Sequence, residues 1–139
     1  MQSAEEGRFV VAKLDKGENL LAALREIIEK HDVTSGLVVS GIGMLRDIKI
    51  GYYSGEEHEP RSFEKPHELI ALHGSISTGE ETIIHLHCAL SDENCNVVGG
   101  HLIDAEVAVV AEIVIAKLSR MVLGRMFNPE TGLKELFVD

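Results

Sequence analysis

The chain has 139 residues, 45% of them hydrophobic, with no Trp and a formal net charge of −10. That length supports one domain with a sizeable core, which must be built from Val, Ile, Leu and Ala. The acidity, with Lys and Arg scattered along the chain, argues against tight autonomous binding of nucleic acid, where a basic patch supplies most of the affinity.

Residues 1–7 are polar and acidic. They predict a flexible N-terminal segment ahead of a single domain over residues 8–139. Arg8 to Leu14 reads as a first strand, broken by Asp15-Lys16-Gly17. Glu18 to His31 is the clearest helix. Leu20, Leu21, Leu24, Ile27 and Ile28 form one apolar stripe, and Glu18 and Lys30 suit the macrodipole at its two ends. Val33 to Ser40 predicts a strand, followed by Gly41-Ile42-Gly43 as a tight turn that needs positive φ. Leu45 to Tyr53 is a further strand, ended by Ser54-Gly55. Glu56 to Lys65 is charged and contains Pro60, so it predicts a loop or an irregular edge.

His67 to Ser77 predicts the next strand, and Glu80-Glu81 a turn into Ile83-Ile84-His85-Leu86-His87-Cys88. Glu106 to Ala116 is rich in β-branched residues and predicts a strand near the sheet centre. Arg120 to Asp139 predicts a hairpin turning at Asn128-Pro129-Glu130-Thr131-Gly132. Together these elements predict an α+β domain, a twisted and mainly antiparallel sheet with one principal helix. A single helix leaves part of a sheet face uncovered, which predicts a homo-oligomer.

The histidines carry the chemistry. Alternate residues of a strand share a face, so His85 and His87 point one way, and Leu86 and Cys88 join Ile84 and Leu90 on a core face. Ser91 to Asn96 is polar and reads as a hairpin loop. A five-residue loop from Asp92 to Asn96 pairs Ser91 with Val97 and sets His87 opposite His101, with His85 one diagonal away. Opposite and diagonal Cβ atoms lie roughly 5 and 7–8 Å apart. Three imidazoles that close can converge on one ion, and three nitrogens with an open position make a catalytic-type zinc site. Gly99-Gly100 could shift this register through a bulge. The plainer reading is three histidines lining a polar groove or a subunit contact.

Other residues have two readings each. Glu112 sits among Ala111, Ile113, Val114 and Ile115. A lone buried carboxylate there is costly unless paired, so it reads as a general acid/base with a raised pKa or as a paired or interface glutamate. Glu68 reads as an extra ligand or a base for metal-bound water, or as an exposed strand end. His73 reads as a satisfied strand histidine first and as a ligand second, and His31 and His58 as solvated. Cys88 falls on the core face. Cys95, in the loop, is a bystander before it is a fourth ligand. Two cysteines do not make a disulfide framework. With no apolar run of membrane-spanning length and no signal-peptide pattern, a cytoplasmic protein is expected.

The ordered set Ser35-Gly36, Ser40-Gly41-Ile42-Gly43, Gly51-Tyr52-Tyr53, Leu72-His73-Gly74-Ser75, His85-Leu86-His87 and Gly99-Gly100-His101-Leu102 resembles the PPC (plants and prokaryotes conserved) domain in its single-domain prokaryotic form. The resemblance runs from about Phe9 to Phe137. It implies a compact fold assembling as a homotrimer, and a metal ion on His85, His87 and His101. Plant members join the domain to AT-hook motifs, and prokaryotic members carry a DNA-binding label through that kinship. This chain has no Arg-Gly-Arg-Pro core, so nucleic acid is weakly supported as a partner.

The leading expectation is thus a trimeric binding or assembly domain with a three-histidine metal site and a protein or small-molecule partner. Zinc is the first metal, with nickel, copper and cobalt also suited to imidazole. The alternative is a metal-dependent hydrolase or lyase acting on a small molecule, with Glu68 or Glu112 moving the proton. A third reading is a DNA-associated architectural protein.

Overall fold

The structure is a computed structural model that describes residues 1–55, 58–79 and 81–139. Glu56 and Glu57 of the charged run, the expected turn residue Glu80, and the side chain of His58 lie outside the described residues. In chain order the elements are β1 (Gln2–Glu6), β2 (Phe9–Asp15), α1 (Leu20–Lys30), β3 (Ser35–Tyr53), β4 (His58–Phe63), β5 (His67–Thr78), β6 (Thr82–Ser91), β7 (Val97–Lys117), β8 (Leu123–Asn128) and β9 (Leu133–Val138).

Seven strands form one sheet in the order β1-β2-β7-β6-β5-β3-β4, with β7 also paired to β3. Each of these pairings is antiparallel. The expected α+β architecture, an antiparallel sheet with one principal helix, is therefore present. Its closure was not foreseen. β7 pairs with β6 over Val97–His101 and with β2 over Val110–Ala116, while β3 runs along its other edge. The strands β3, β5, β6 and β7 thus close on themselves into a small ring around the core.

β3 and β7 are each longer than expected, and Gly41-Ile42-Gly43 lies inside β3 rather than at a turn, although Gly43 does take a positive φ of 143°. A Cβ on Gly41 would stand 2.6 Å from Leu72 Cβ, and one on Gly43 would stand 2.2 Å from the Val110 carbonyl oxygen. These glycines let β5 and β7 approach a strand that bends without breaking, and register shifts at Val38/Ser40 and Gly43/Leu45 take up the bend. Of the loop or irregular edge expected at 56–65, β4 takes the edge. It pairs with β3 on the outer edge of the sheet, where Pro60, opposite Gly51, can be tolerated.

The opening residues are also paired, residue by residue, with β2. Polar composition gave no sign of this strand, because side chains elsewhere hold it. Lys30 Nζ donates to Ser3 Oγ at 2.9 Å, Lys117 Nζ donates to Glu5 at 2.9 Å, and His31 Nε2 lies 3.0 Å from Ser3 Oγ. His31 is therefore a tether between β1 and the helix end rather than a solvated side chain.

The helix forms as its stripe requires. Asn19 caps it, its Oδ1 accepting from the Ala22 amide at 2.9 Å, worth about 1 kcal/mol. Leu20, Ala23, Leu24, Ile27 and Ile28 are buried against the sheet. The core beneath the site is Leu72, Leu86, Leu90, Ile113 and Ile115, each fully buried. β8 and β9 make a separate hairpin, docked by the Leu123 amide donating to the buried Ser35 Oγ at 2.9 Å.

Candidate metal centre

The β6–β7 hairpin has the expected register. Ser91 pairs with Val97 and His87 with His101, without a register shift across Gly99-Gly100. The loop is built on Asp92. Its Oδ1 accepts from the Asn94 and Asn96 amides at 2.8 and 2.9 Å, and its Oδ2 accepts from Asn96 Nδ2 at 3.1 Å. Those donors, the Asn96 side chain foremost, hold the Asp92 carboxyl below the usual range. Cys95 takes the positive φ of 63° that closes the turn. It is exposed and outside the histidine cluster.

Gly99 and Gly74 explain how the strands come close enough. A Cβ on Gly99 would stand 2.5 Å from the Cys88 carbonyl oxygen, and one on Gly74 would stand 1.9 Å from the His85 carbonyl oxygen. The Gly-Gly before His101 is therefore a close-approach device and not a bulge. Leu86 and Cys88 point into the core as expected. Burial pushes the Cys88 thiol up to about 11, so it stays a protonated core side chain behind the sheet.

On the outward face the three imidazoles converge. Ring centroids are 5.1 Å apart for His85 and His87, 5.0 Å for His85 and His101, and 5.5 Å for His87 and His101. One donor nitrogen from each lies within 4.8 Å of the others. His85 Nε2 and His87 Nε2 are 3.2 Å apart. Ligands about 2.0–2.1 Å from a tetrahedral zinc ion stand roughly 3.3 Å from one another, so this pair already has the spacing of two ligands on one ion. His87 is exposed and the other two are half-buried, so the cluster is open to solvent on the His87 side. The residues present fit a divalent metal that favours imidazole.

The other candidates lie elsewhere. Glu112 is exposed, not buried, and pairs with Lys13 of β2 and Ile42 of β3. It is roughly 35 Å along β7 from His101 at about 3.3 Å per residue. Glu68 is also exposed. It pairs with Ser91, roughly 13 Å along β6 from His87. The structure therefore brings neither carboxylate to the triad.

What sequence reasoning missed is how β5 and β8 sit against this face. His73 stands opposite His87, and Ser75 stands opposite His85. His73 is exposed and contributes no donor to the cluster. Arg125 of β8 donates from Nη2 to Ser75 Oγ at 2.7 Å. The β5–β6 pairing could have been aligned by matching alternation, but nothing local announces that β8 crosses this face.

The profile of the Plants and Prokaryotes Conserved (PCC) domain matches residues 1–119. No curated protein matches the chain. Among solved structures, a protein of Archaeoglobus fulgidus described as metal-containing is 30% identical. It has a TM-score of 0.85 over 96% of this chain and 95% of that one. A plant- and prokaryote-conserved (PPC) protein of Pyrococcus horikoshii is 32% identical, with a TM-score of 0.83 over 93% and 92%. A Bacteroides thetaiotaomicron protein described as a candidate DNA-binding protein is 22% identical, with a TM-score of 0.88 over 99% and 96%. At that identity the likeness is one of fold.

Proposed function

The chain belongs to the Plants and Prokaryotes Conserved domain family, and on that premise we propose a cytoplasmic homotrimer that holds one divalent metal ion per subunit on His85, His87 and His101. Zinc is the first candidate, because three imidazoles with an open position are its common ligand set. The observation that carries this reading is the convergence of three imidazole donors within 4.8 Å on a sheet face backed by the buried Leu86 and Leu90. The metal-containing description of the relative from Archaeoglobus fulgidus supports it.

The role in this reading is binding or assembly, with a small molecule or a partner protein meeting the open side of the site. A bound ion would supply Lewis acidity and a fixed positive charge to that side. The hydrolase or lyase alternative needs a proton-transfer group beside the metal, and it draws no support from Glu68 or Glu112, which stand apart from the triad of their own subunit. DNA binding draws no support from a net charge of −10 and a fold-level likeness alone. No helix among the described residues is long and apolar enough to cross a membrane.

The test is elemental mass spectrometry on untagged protein purified without added metal. The expected result is close to one transition metal per subunit. A protein that carries none and takes up none on titration with zinc, nickel, copper or cobalt overturns the reading.

A further inference from the structure

We infer that the cavity between the β5–β6 and β8–β9 hairpins is a binding site for the carboxylate of a small organic acid, held by Arg125 and Ser77. The cavity has a volume of about 260 Å³, and its lining includes Ser77, Glu81, Ile83, Arg125, Phe127 and Lys134.

Two of these residues carry a buried polar atom with no hydrogen-bond partner. Ser77 is 3% exposed, and its hydroxyl has no hydrogen-bond partner. Arg125 Nε is shielded from solvent and has no acceptor. Leaving such donors unmatched costs more than a hydrogen bond returns, so native structures rarely do it without a ligand or a functional reason. Arg125 also has no carboxylate partner among the described residues. Burial pushes its pKa down.

Lys134 is paired with Glu81, which sets Arg125 apart as the lining cation that carries a buried, unmatched nitrogen. A guanidinium presents a planar fork of donors that suits the two oxygens of a carboxylate, and the Ser77 hydroxyl adds a further donor.

The site adjoins the histidines. Arg125 is fastened to Ser75, the residue opposite His85. Ile83 of the lining is two residues before His85 on the same strand face. A carboxylate held here lies beside the triad, which can take the far end of the same molecule. The carboxylate contacts themselves use no metal, so this inference stands apart from the metal reading.

The test uses the full chain, metal-free and zinc-loaded, titrated with sodium propionate or inorganic phosphate at constant ionic strength. NMR follows the Arg125 Nε–Hε signal and the Gly124 and Phe127 amides. Saturable shifts with propionate are expected in both forms of the protein. Arg125→Gln weakens propionate binding by at least about tenfold and Ser77→Ala by about fivefold, with amide spectra that remain folded. If Arg125→Gln fails to fold, the wild-type Nε–Hε signal and Ser77→Ala carry the test. Shifts that stay linear, phosphate binding tighter than propionate, or a Ser77→Ala variant with unchanged affinity overturns the proposal. Protein that binds propionate but no metal sinks only the metal reading.

Discussion

His87 stands directly opposite His101 across the β6–β7 pair, their ring centroids 5.5 Å apart. This relationship rests on the length of one loop. A slip of a single residue would turn His101 into the core and bring Leu102, which is 3% exposed, out to the histidine face. The site is thus written partly in the residues that hold the loop.

Asp92 is the first of these to test. Its carboxylate accepts three hydrogen bonds within the loop, and its pKa is lowered chiefly by the Asn96 side chain. The linkage sign follows from that direction. The stabilisation is present above the unfolded carboxyl value of roughly 3.9 and is lost as pH falls through the lower folded value. Asp92→Ala should remove this component, so wild type and variant converge in stability at strongly acidic pH and separate above it. Thermal melts from pH 2 to 7 read it. A constant difference across the range would remove Asp92 as the titrating group.

The metal reading makes a sharper demand. His87→Ala and His101→Ala should each reduce metal content to less than about a tenth, because two remaining imidazoles make an incomplete site. His73→Ala, across the strand from His87 but outside the donor cluster, should leave the content unchanged. Protons compete with metal for imidazole nitrogens, so bound metal should be released as pH falls. Elemental analysis of dialysed protein checks all of this, with circular dichroism to verify the fold. Equal losses in all three variants would show that the donors are misassigned.

How much of this was legible in the sequence depended on range. The alternation in Ile84-His85-Leu86-His87-Cys88 and the polar Ser91–Asn96 loop are local, and they sufficed to place His87 opposite His101. The stripe from Leu20 to Ile28 likewise marked α1. Pairing partners far apart in the chain left no such trace. Gly41 and Gly43 looked like a turn because nothing local reveals Leu72 or the Val110 carbonyl packed against them. Glu112 looked buried because its neighbours are apolar, yet Glu112 itself is exposed. Arg125 lies 50 residues beyond Ser75, so its approach to the histidine face had no sequence signal.

Gly74 offers a test of how tightly the β5–β6 pair sets His85. The nearest atom to an added Cβ is backbone, the His85 carbonyl oxygen at 1.9 Å, so no side chain can swing aside. Gly74→Ala should destabilise the fold by about 1–3 kcal/mol and weaken metal binding by displacing β6. Gly79, where an added Cβ meets nothing within 4 Å, is the control, and Gly79→Ala should leave the urea midpoint near wild type or slightly above it. Should the two variants melt alike, close backbone approach is not what selects glycine at position 74.

The proposed trimer needs a surface to bury, and the outward face of β3 and β5 offers one. The β3–β5 register, Val38 with Gly74 and Gly43 with Leu69, sets Ile42 beside Ile70. These two are 49% and 48% exposed, with Leu37 and Val39 each 38% exposed on the same strand as Ile42. A run of aliphatic side chains on a single outward strip is the kind of patch that marks a contact between proteins. Wild-type protein should therefore sediment at three times the chain mass of 15.2 kDa. Ile70→Asp should shift it toward the monomer, because each interface would bury an unpaired carboxylate. The side chain points away from the core, so the variant should keep its circular dichroism spectrum. A wild-type monomer would remove the trimer, and a trimeric Ile70→Asp variant would move the contact to another face.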